Sequence, residues 1–249
     1  MRIFSKTDKG RVRTDNQDSY FAGRITDNAV FAVVCDGMGG ANAGNVASEN
    51  AVRHISEYII RSYRDSMDIT ELEKTLRNAV ASANIELFDM AASEQALSGM
   101  GTTAVIAIVR DDQAVIANVG DSRIYLINGE IKQLTRDHSV VQSLIESGKI
   151  TPEDAKYHPR KNVITRAIGA EGSVTADSAV IKLNDGDTLL LCTDGLSNCL
   201  DDNDILSVFK NTDISSVPDI LVERANQNGG GDNITVVTLS QGSDALADD

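Results

Sequence analysis

Residues 102–134 read TTAVIAIVRDDQAVIANVGDSRIYLINGEIKQL and carry the strongest indication of the fold class. Four short runs with β-branched or alternating character lie within it, at 102–109, 114–119, 123–127 and 131–134. The turns between these runs are too short to hold a helix. Asn128-Gly129 separates the last two runs and favours a type I′ hairpin, because both residues tolerate positive φ. The stretch therefore predicts antiparallel sheet.

Helical patterns flank this stretch in pairs. The sequence predicts helices at 43–63 and 70–92, a shorter helix at 139–147, and a second pair at 202–210 and 218–228. Further strands are predicted at 19–22, 30–35, 174–182, 188–192 and 234–239. Strands and helix pairs come in blocks without strict alternation. This order predicts an α/β (α+β) sandwich, with packed, mostly antiparallel β-sheets covered by antiparallel helix pairs.

Composition limits the class of protein. The chain has 249 residues, of which 41% are hydrophobic, which is enough for a sizeable core. We predict one domain at 1–240 and a flexible tail at 241–249. The net charge of -14 disfavours nucleic acid and anionic membrane surfaces as partners. The polar start of the chain, Met1 to Gly10, is not typical of a signal peptide, so we expect a cytoplasmic protein, and we expect a monomer.

Aspartates recur at the ends of predicted strands, at Asp18, Asp36, Asp194 and Asp232. Taken singly, each is compatible with ordinary turn chemistry. Several carboxylates at one edge of a sheet repel each other unless cations or protons compensate them. Mg²⁺ and Mn²⁺ prefer such oxygen ligands. The four residues together therefore predict a site for hard divalent cations.

Arg13 lies close in sequence to the first of these aspartates. A guanidinium group binds a phosphate through two donors and keeps its charge, so Arg13 beside a metal cluster indicates an oxyanion substrate. The alternative is a surface arginine paired with Asp15 or with a glutamate elsewhere. Gly37, Gly39 and Gly40 permit the close backbone approach that a carbonyl ligand or a substrate needs.

Six motifs in chain order carry a family resemblance. They are Arg13…Asn16-Gln17-Asp18, Val34-Cys35-Asp36-Gly37-Met38-Gly39-Gly40, Gly99-Met100-Gly101-Thr102-Thr103, Asn118-Val119-Gly120-Asp121-Ser122-Arg123, Cys192-Thr193-Asp194-Gly195-Leu196 and Gly231-Asp232-Asn233-Ile234-Thr235. This order resembles the metal-dependent serine/threonine protein phosphatases of the 2C type, in their compact bacterial form. The resemblance spans Gly10 to Leu239.

The resemblance implies an α-β-β-α sandwich with two Mn²⁺ or Mg²⁺ ions at one end of the paired sheets. It implies that Asp36 bridges both ions, that Gly37 lends its carbonyl to one, and that Asp194 and Asp232 complete the other. Further metal roles are implied for Asp18, through metal-bound waters, and for Asp121, at a weaker third ion. The alternative for Asp121 is a turn residue or a salt bridge to Arg123. Asn233 is expected only to orient Asp232.

The sequence departs from the family pattern at two positions. Some relatives have a glutamate ligand where Gln17 stands, and members from higher organisms have a histidine, proposed as general acid, where Met38 stands. Met38 has no proton to give, so the leaving group must be protonated by another group. His158, in the polar segment 148–162 that corresponds to the family's flap, is a candidate for substrate contact or proton donation; the alternative is an inert loop histidine. His54 and His138 are interpreted as structural.

The resemblance implies hydrolysis of phosphoserine and phosphothreonine in proteins by a metal-activated bridging water, in opposition to a serine/threonine kinase. Arg13, Asp36, Asp194 and Asp232 are the predicted catalytic residues, and Arg13 also binds substrate. The acidic surface favours phosphosites with basic or neutral neighbours. Two alternatives stay open: a two-metal hydrolase of nucleotides or small phosphate esters, and a non-catalytic binding module of the same fold.

Overall fold

The computed structural model describes residues 1–39 and 43–242. Within these ranges the strands are β1 (Arg2–Asp8), β2 (Asp18–Thr26), β3 (Ala29–Met38), β4 (Gly101–Thr102), β5 (Ala104–Arg110), β6 (Gln113–Val119), β7 (Arg123–Ile127), β8 (Ile131–Gln133), β9 (Asp177–Lys182), β10 (Thr188–Cys192) and β11 (Ile234–Ser240). The helices are α1 (Ala43–Ser62), α2 (Ile69–Ser93), α3 (Val140–Glu146), α4 (Pro152–Lys156), α5 (Asp194–Ser197), α6 (Asp202–Asn211) and α7 (Val217–Gln227). Short 3-10 helices cover Gln95–Leu97 and Ile214–Ser216.

The strands form two sheets. One has the order β1-β11-β10-β7-β8, and the other has the order β2-β3-β5-β6-β9, with β4 paired to the end of β3. Every pairing between these strands is antiparallel, which confirms the prediction from the consecutive strands of residues 102–134. The predicted turn at Asn128-Gly129 joins β7 to β8, and Gly129 has a φ of 89°.

Side-chain alternation along the strands separates three apolar layers. On β3, Phe31 and Val33 pack with the helices α1 and α2, whereas Val30 and Ala32 face the other sheet. A third cluster lies between that sheet and the helices α5, α6 and α7. Because successive side chains of a strand point to opposite faces, each sheet serves two layers. The result is the predicted α-β-β-α sandwich.

Strand β1 was missed by the sequence analysis. Its sequence, RIFSKTD, alternates weakly and its side chains are mostly half-buried. It lies at the edge of its sheet and pairs only with β11, from the other end of the chain. Because β1 and β11 are far apart in the sequence, their pairing leaves no pattern among neighbouring residues from which β1 could be predicted. The short helices α4 and α5 were also not predicted. They have five and four residues, which is too few to show a helical period in the sequence.

The predicted tail begins where the structure is still well connected. The Gln241 backbone N–H donates to Asp187 O at 2.8 Å, and its carbonyl accepts from the Gly186 N–H at 3.0 Å. Residues 243–249, like Gly40, lie outside the described residues, so the prediction of a flexible tail stays a prediction. None of the helices in the described ranges has the length and apolar character needed to cross a membrane.

Candidate metal centre

Pairing between β2 and β3 places two of the predicted aspartates side by side. Asp18 begins β2, and its register partner is Asp36, near the end of β3. The chain around Asp36 is fixed by the next strands: the Asp36 N–H donates to Thr103 Oγ1 at 2.9 Å, and its carbonyl accepts from Thr102 Oγ1 at 2.8 Å. Neighbouring strands thus deliver two carboxylates to the same end of one sheet.

The second sheet reaches this pair through hydroxyl groups. Asp18 is 8% exposed, and its Oδ2 accepts from Thr193 Oγ1 at 2.9 Å and from Thr235 Oγ1 at 2.7 Å. Thr193 directly follows β10, and Thr235 lies in β11. The other carboxylate oxygen, Oδ1, is buried and has no hydrogen-bond partner in the described part of the chain. Asp18 therefore joins the two sheets and keeps one oxygen available for a ligand.

The charge of Asp194 raises the pKa of Asp36, so the two carboxylates lie close together. It begins α5, directly after Thr193, so the end of β10 delivers it to the same place. Its Oδ2 accepts from Asn198 Nδ2 at 2.9 Å, and its Oδ1 is buried without a partner among the described residues. The two central carboxylates of the predicted site are therefore neighbours.

Asp232 completes the cluster together with Arg13. Arg13 Nη2 donates to Asp232 Oδ2 at 2.8 Å, and the side chains are 53% and 28% exposed. The Asn233 N–H donates to Asp232 Oδ1 at 2.9 Å, as expected for a residue that orients this aspartate. The alternative pairing of Arg13 with Asp15 is absent from the described ion pairs, and the Asp15 carboxylate accepts from Thr14. The predicted substrate-binding residue Arg13 is thus paired with the predicted metal ligand Asp232.

The acidic groups perturb one another strongly. Burial raises the pKa of Asp18 to about 7 against the hydrogen bonds of its threonines, and burial followed by the charge of Asp232 raises the pKa of Asp194 to about 6. The pKa of Asp36 is raised well above its ordinary value by burial first and then by the charges of Asp18 and Asp194. Carboxylates held this close retain protons unless a cation replaces them. The electrostatics of the cluster are those of a cation site.

Asp121 belongs to the same electrostatic group. Burial and then the charges of Asp194 and Asp137 raise its pKa to about 7. The alternative salt bridge to Arg123 is not formed, because Arg123 binds Asp137 instead, with Nη2 at 2.7 Å from Oδ2. Asp121 thus lies close enough to Asp194 for their charges to interact and forms no ion pair among the described residues; its role at a third ion stays a prediction.

Gly37 lies where only a glycine fits. A Cβ on this residue would stand 2.0 Å from Gly44 O and 2.7 Å from Gln17 O, and both are backbone atoms. The Gly37 N–H donates to Gln17 O at 3.0 Å. The close approach at Gly37 is between protein backbones, at the end of β3, the start of α1 and the loop that precedes β2; the predicted approach to a metal or a substrate stays a prediction. The direct role of the Gly37 carbonyl stays a prediction.

Among the described residues, no hydrogen bond joins the side chain of His158 or Met38 to the aspartates. His158 Nδ1 accepts from the Arg160 N–H at 3.1 Å, and its backbone bonds also stay within residues 155–161. Contact between His158 and the aspartates is absent from the described hydrogen bonds, so its predicted role in substrate binding stays a prediction. Met38 pairs with Gly101, and its Cε would stand 3.0 Å from a Cβ on that glycine.

The carboxylate oxygens of the cluster are the ligands that divalent ions such as Mg²⁺ and Mn²⁺ prefer, although their side chains do not form a compact ligand set. Across residues 1–39 and 43–242, no three acidic, histidine or cysteine side chains stand as a finished ligand set. Asp232 Oδ2 accepts instead from Arg13, and Asp194 Oδ2 accepts from Asn198. The orphaned buried oxygens of Asp18 and Asp194 nevertheless require a partner, because an unpaired buried polar atom costs about 1–3 kcal/mol.

Sequence reasoning missed the polar residues that hold the cluster together. Thr193 and Thr235 sit inside motifs that drew attention only for their aspartates. Asn233 does more than orient Asp232: its Oδ1 accepts from the Gln17 N–H at 2.8 Å, and its Nδ2 donates to Lys9 O at 2.9 Å and Asp15 O at 2.8 Å. It therefore holds the loop that carries Arg13. The sequence signal that could have identified them is the threonine in each of two apolar motifs, Thr193 near Asp194 and Thr235 near Asp232.

Known proteins are similar to this chain along most of its length. Residues 8–217 match the family model described as protein phosphatase 2C. The serine/threonine phosphatase stp of Listeria monocytogenes is 43% identical over 241 residues, which cover 95% of this chain and 94% of that protein. The protein phosphatase PhpP of Streptococcus pneumoniae is 37% identical over 244 residues, which cover 96% of this chain and 97% of that protein.

One solved structure of similar fold contains the metal expected here. It is the catalytic domain of the serine threonine protein phosphatase PstP in complex with two manganese ions. It superposes with a TM-score of 0.83 at 32% identity, covering 96% of this chain and 98% of that one. The family match covers most of the chain, and the relatives are similar over nearly their whole length. The chain therefore belongs to the protein phosphatase 2C family.

Proposed function

We propose that the acidic end of the sandwich hydrolyses phosphoserine and phosphothreonine in proteins with the help of Mn²⁺ or Mg²⁺. One observation carries the assignment to this site: Asp18, Asp36 and Asp194 pack together with raised pKa values and two orphaned oxygens, beside an arginine. The names of the relatives favour a protein phosphatase over a nucleotide hydrolase. A non-catalytic module has no need of this complete set of aspartates, which disfavours that alternative.

The residues that would hold two ions are Asp36, Gly37 through its carbonyl, Asp194 and Asp232, with Asp18 holding bound waters. Asp121 would join Asp194 around a third ion. When bound, the ions supply a water of lowered pKa as the nucleophile and offset negative charge on the phosphoryl oxygens. The neighbouring carboxylates lose the protons that their raised pKa values now favour, so binding of the ions releases protons.

Arg13 would bind the phosphate. Among the described residues only its Nη2 has a hydrogen-bond partner, which leaves Nε and Nη1 to donate to a phosphate oxygen. Because the guanidinium group stays charged at every working pH, it offsets charge on the phosphoryl oxygens throughout the reaction. Its bond to Asp232 sets the distance between the phosphate and the ligand cluster. Met38 has no proton to give, so it is excluded as the general acid.

The expected substrates are phosphorylated proteins. A cognate serine/threonine kinase that places the phosphate, a monomeric state and a cytoplasmic location complete the proposal; they follow from the family resemblance and from the composition of the chain.

The test compares phosphopeptide hydrolysis by the wild-type chain with Mn²⁺, and with chelator, against the Asp36→Asn and Asp232→Asn variants. Asp89→Asn, on the exposed face of α2, is the matched control for an Asp-to-Asn change. We expect loss of hydrolysis with chelator and in both site variants, with the circular dichroism spectrum retained. Full activity in either site variant would contradict the assigned roles. Faster hydrolysis of nucleotides or phosphodiesters than of phosphopeptides would favour the alternative.

A further inference from the structure

We propose that His138 is a positioning residue for Asp121: its ring and backbone hold Gly120, and so set where the Asp121 carboxylate stands. The inference rests on the proposed function, since Asp121 would there contact the third ion. His138 precedes α3, and the sequence analysis interpreted it only as structural.

Two hydrogen bonds join His138 to the residue before Asp121. The Gly120 N–H donates to His138 Nδ1 at 3.0 Å, and the His138 N–H donates to Gly120 O at 2.8 Å. The second acceptor is the carbonyl of the peptide bond that leads into Asp121. His138 is 2% exposed, so water does not compete for either bond. The peptide that carries Asp121 is therefore fixed by one histidine.

The backbone at Gly120 has to be held in this way. Its φ is 105°, a left-handed conformation, and a Cβ there would stand 2.5 Å from Thr103 Cγ2. Glycine is the residue that adopts this conformation without strain, but it brings no side chain to anchor the turn. On the other side of Asp121, Ser122 Oγ lies 2.7 Å from Thr103 Oγ1, which accepts the N–H of Asp36. The turn is thus tied to Asp36 on one side and to His138 on the other.

The ring of His138 is locked at both nitrogens. Because Nδ1 accepts from Gly120, the ring proton is on Nε2, which donates to Asp177 Oδ2 at 3.1 Å. Asp177 is held in turn by Arg166, whose Nη1 lies 2.7 Å from Oδ1 and also donates to Thr175 O at 2.8 Å. A residue that orients a metal ligand changes the affinity for the metal, even though it does not contact the metal itself.

Asp121 depends on this support because no protein cation fixes its carboxylate. Within the described residues it forms no ion pair; the charges of Asp194 and Asp137 repel its carboxylate, and the attraction of Arg123 acts more weakly. A carboxylate in a repulsive environment moves away when its backbone is released. We therefore expect loss of the Gly120 bond to His138 to weaken the third ion more than the first two.

Two substitutions separate the two nitrogens of His138. In His138→Asn, the amide oxygen stands close to Nδ1 and can accept from Gly120, but the side chain no longer reaches Asp177. In His138→Gln, the longer side chain can donate to Asp177 from the position of Nε2, but it offers no acceptor at Nδ1. A purely structural histidine predicts similar losses for both variants. Positioning through Gly120 predicts that asparagine rescues and glutamine does not.

The primary measurement is Mn²⁺ binding, followed through the electron paramagnetic resonance signal of free Mn²⁺. We expect His138→Gln to weaken the weakest bound ion by about tenfold or more, as for loss of a ligand-orienting neighbour, and His138→Asn to stay within about threefold of wild type. Equal affinities in wild type and His138→Gln would overturn the proposal. Equal losses in the two variants would also overturn it.

A double-variant cycle with Asp121→Asn tests whether His138 acts through Asp121. In that background the weak ion is already lost, so adding His138→Gln should change neither the remaining affinities nor phosphopeptide hydrolysis by more than about twofold. Additive losses would show that His138 acts elsewhere and would overturn the proposal. If His138→Gln fails to fold, Asp177→Ala serves as the second variant: it keeps the Nδ1 acceptor for Gly120 and should stay within about threefold of wild type, as His138→Asn should, and a larger loss of weak-ion affinity in that variant would refute the inference.

The outcomes for wild type distinguish this inference from the proposed function. A wild-type chain that hydrolyses phosphopeptides but binds only two Mn²⁺ ions overturns the role of His138 and leaves the phosphatase assignment standing. A wild-type chain that binds no Mn²⁺ overturns both. Retained hydrolysis with His138-dependent binding of a third ion supports both.

Discussion

Replacing Asp18 by asparagine should stabilise the metal-free protein at alkaline pH. Asp18 is buried by both sheets, and its ionised form is disfavoured by burial and by the charges of Asp194 and Asp232. Asparagine has nearly the same shape and can still accept from Thr193 and Thr235 through its oxygen. The substitution thus removes a charge and keeps the contacts between the sheets.

The magnitude follows from the pKa of Asp18. A pKa raised from 3.8 to about 7 corresponds to about 4 kcal/mol of lost stability once the group is ionised in both states, at about 1.4 kcal/mol per pKa unit. The new amide nitrogen lies where Oδ1 has no partner, which costs about 1–3 kcal/mol. The balance favours asparagine by about 1–3 kcal/mol at pH 8, or several degrees in melting temperature.

The sign of the pH dependence is fixed by the direction of the pKa. Because the folded pKa is raised, the contribution of Asp18 to stability is fully present below about pH 4 and is lost as the pH rises through about 7. At pH 5 the wild-type carboxyl is still protonated in the fold, so ionisation of the unfolded chain costs less than about 2 kcal/mol. The advantage of asparagine should therefore vanish near pH 5.

The assay is thermal unfolding with chelator at pH 5 and pH 8, with exposed Asp89→Asn as the control, and the same scans with Mn²⁺. Mn²⁺ should raise the melting temperature of wild type at pH 8 more than that of Asp18→Asn, which reverses their order, since a ligand at 100 times its Kd stabilises by about 2.7 kcal/mol. A metal-free Asp18→Asn that is less stable than wild type at pH 8, with an unchanged Mn²⁺ response, would refute the reasoning.

Four further outcomes are expected. Gly37→Ala should lose a few kcal/mol of stability together with Mn²⁺ binding, because its Cβ would stand 2.0 Å from Gly44 O; a wild-type melting temperature in calorimetry would contradict the close packing. Arg13→Ala should raise KM for a phosphopeptide and leave the melting temperature nearly unchanged, since an exposed ion pair contributes about 0–1 kcal/mol; an unchanged KM would remove Arg13 from the phosphate site. Asn233→Ala should cost about 2–4 kcal/mol in denaturant unfolding through three lost hydrogen bonds, whereas exposed Asn228→Ala, which loses one bond to Cys199 O, should cost about 1 kcal/mol; equal losses would contradict the role of Asn233. Phosphopeptides with basic neighbours should show the higher kcat/KM, with a difference that shrinks as salt is added; a preference for acidic neighbours would contradict the charge argument.

Much of the architecture could be predicted from local patterns. The helices α1 and α2 follow the predicted segments 43–63 and 70–92 within one residue at each end. The strand β7 matches its predicted bounds, 123–127. The periods of 2 and 3.6 residues depend only on side chains close together in the sequence. They can therefore be recognised without knowing which distant segments pack together.

The aspartates of the site were also legible before the structure. Asp36 lies near the end of the strongly apolar β3, and Asp194 comes two residues after the equally apolar β10, where a carboxylate has no place in a core. Their common environment was a hypothesis about sheet ends; in the structure the charge of Asp194 raises the pKa of Asp36, while the role of both at a metal stays a prediction. The polar partners were not legible, since Thr193 and Thr235 lie 175 and 217 residues from Asp18 along the chain.

The sequence was therefore sufficient to predict the layers of the fold and the carboxylates at one end of the sandwich. Packing alone made β1 a strand, by pairing it with β11, and packing alone turned Asn233 into the anchor of the Arg13 loop and Gly120 into a turn held by His138. The reason is that backbone periodicity is encoded between neighbours, whereas hydrogen bonds between segments far apart in the chain exist only after the two sheets have closed on each other.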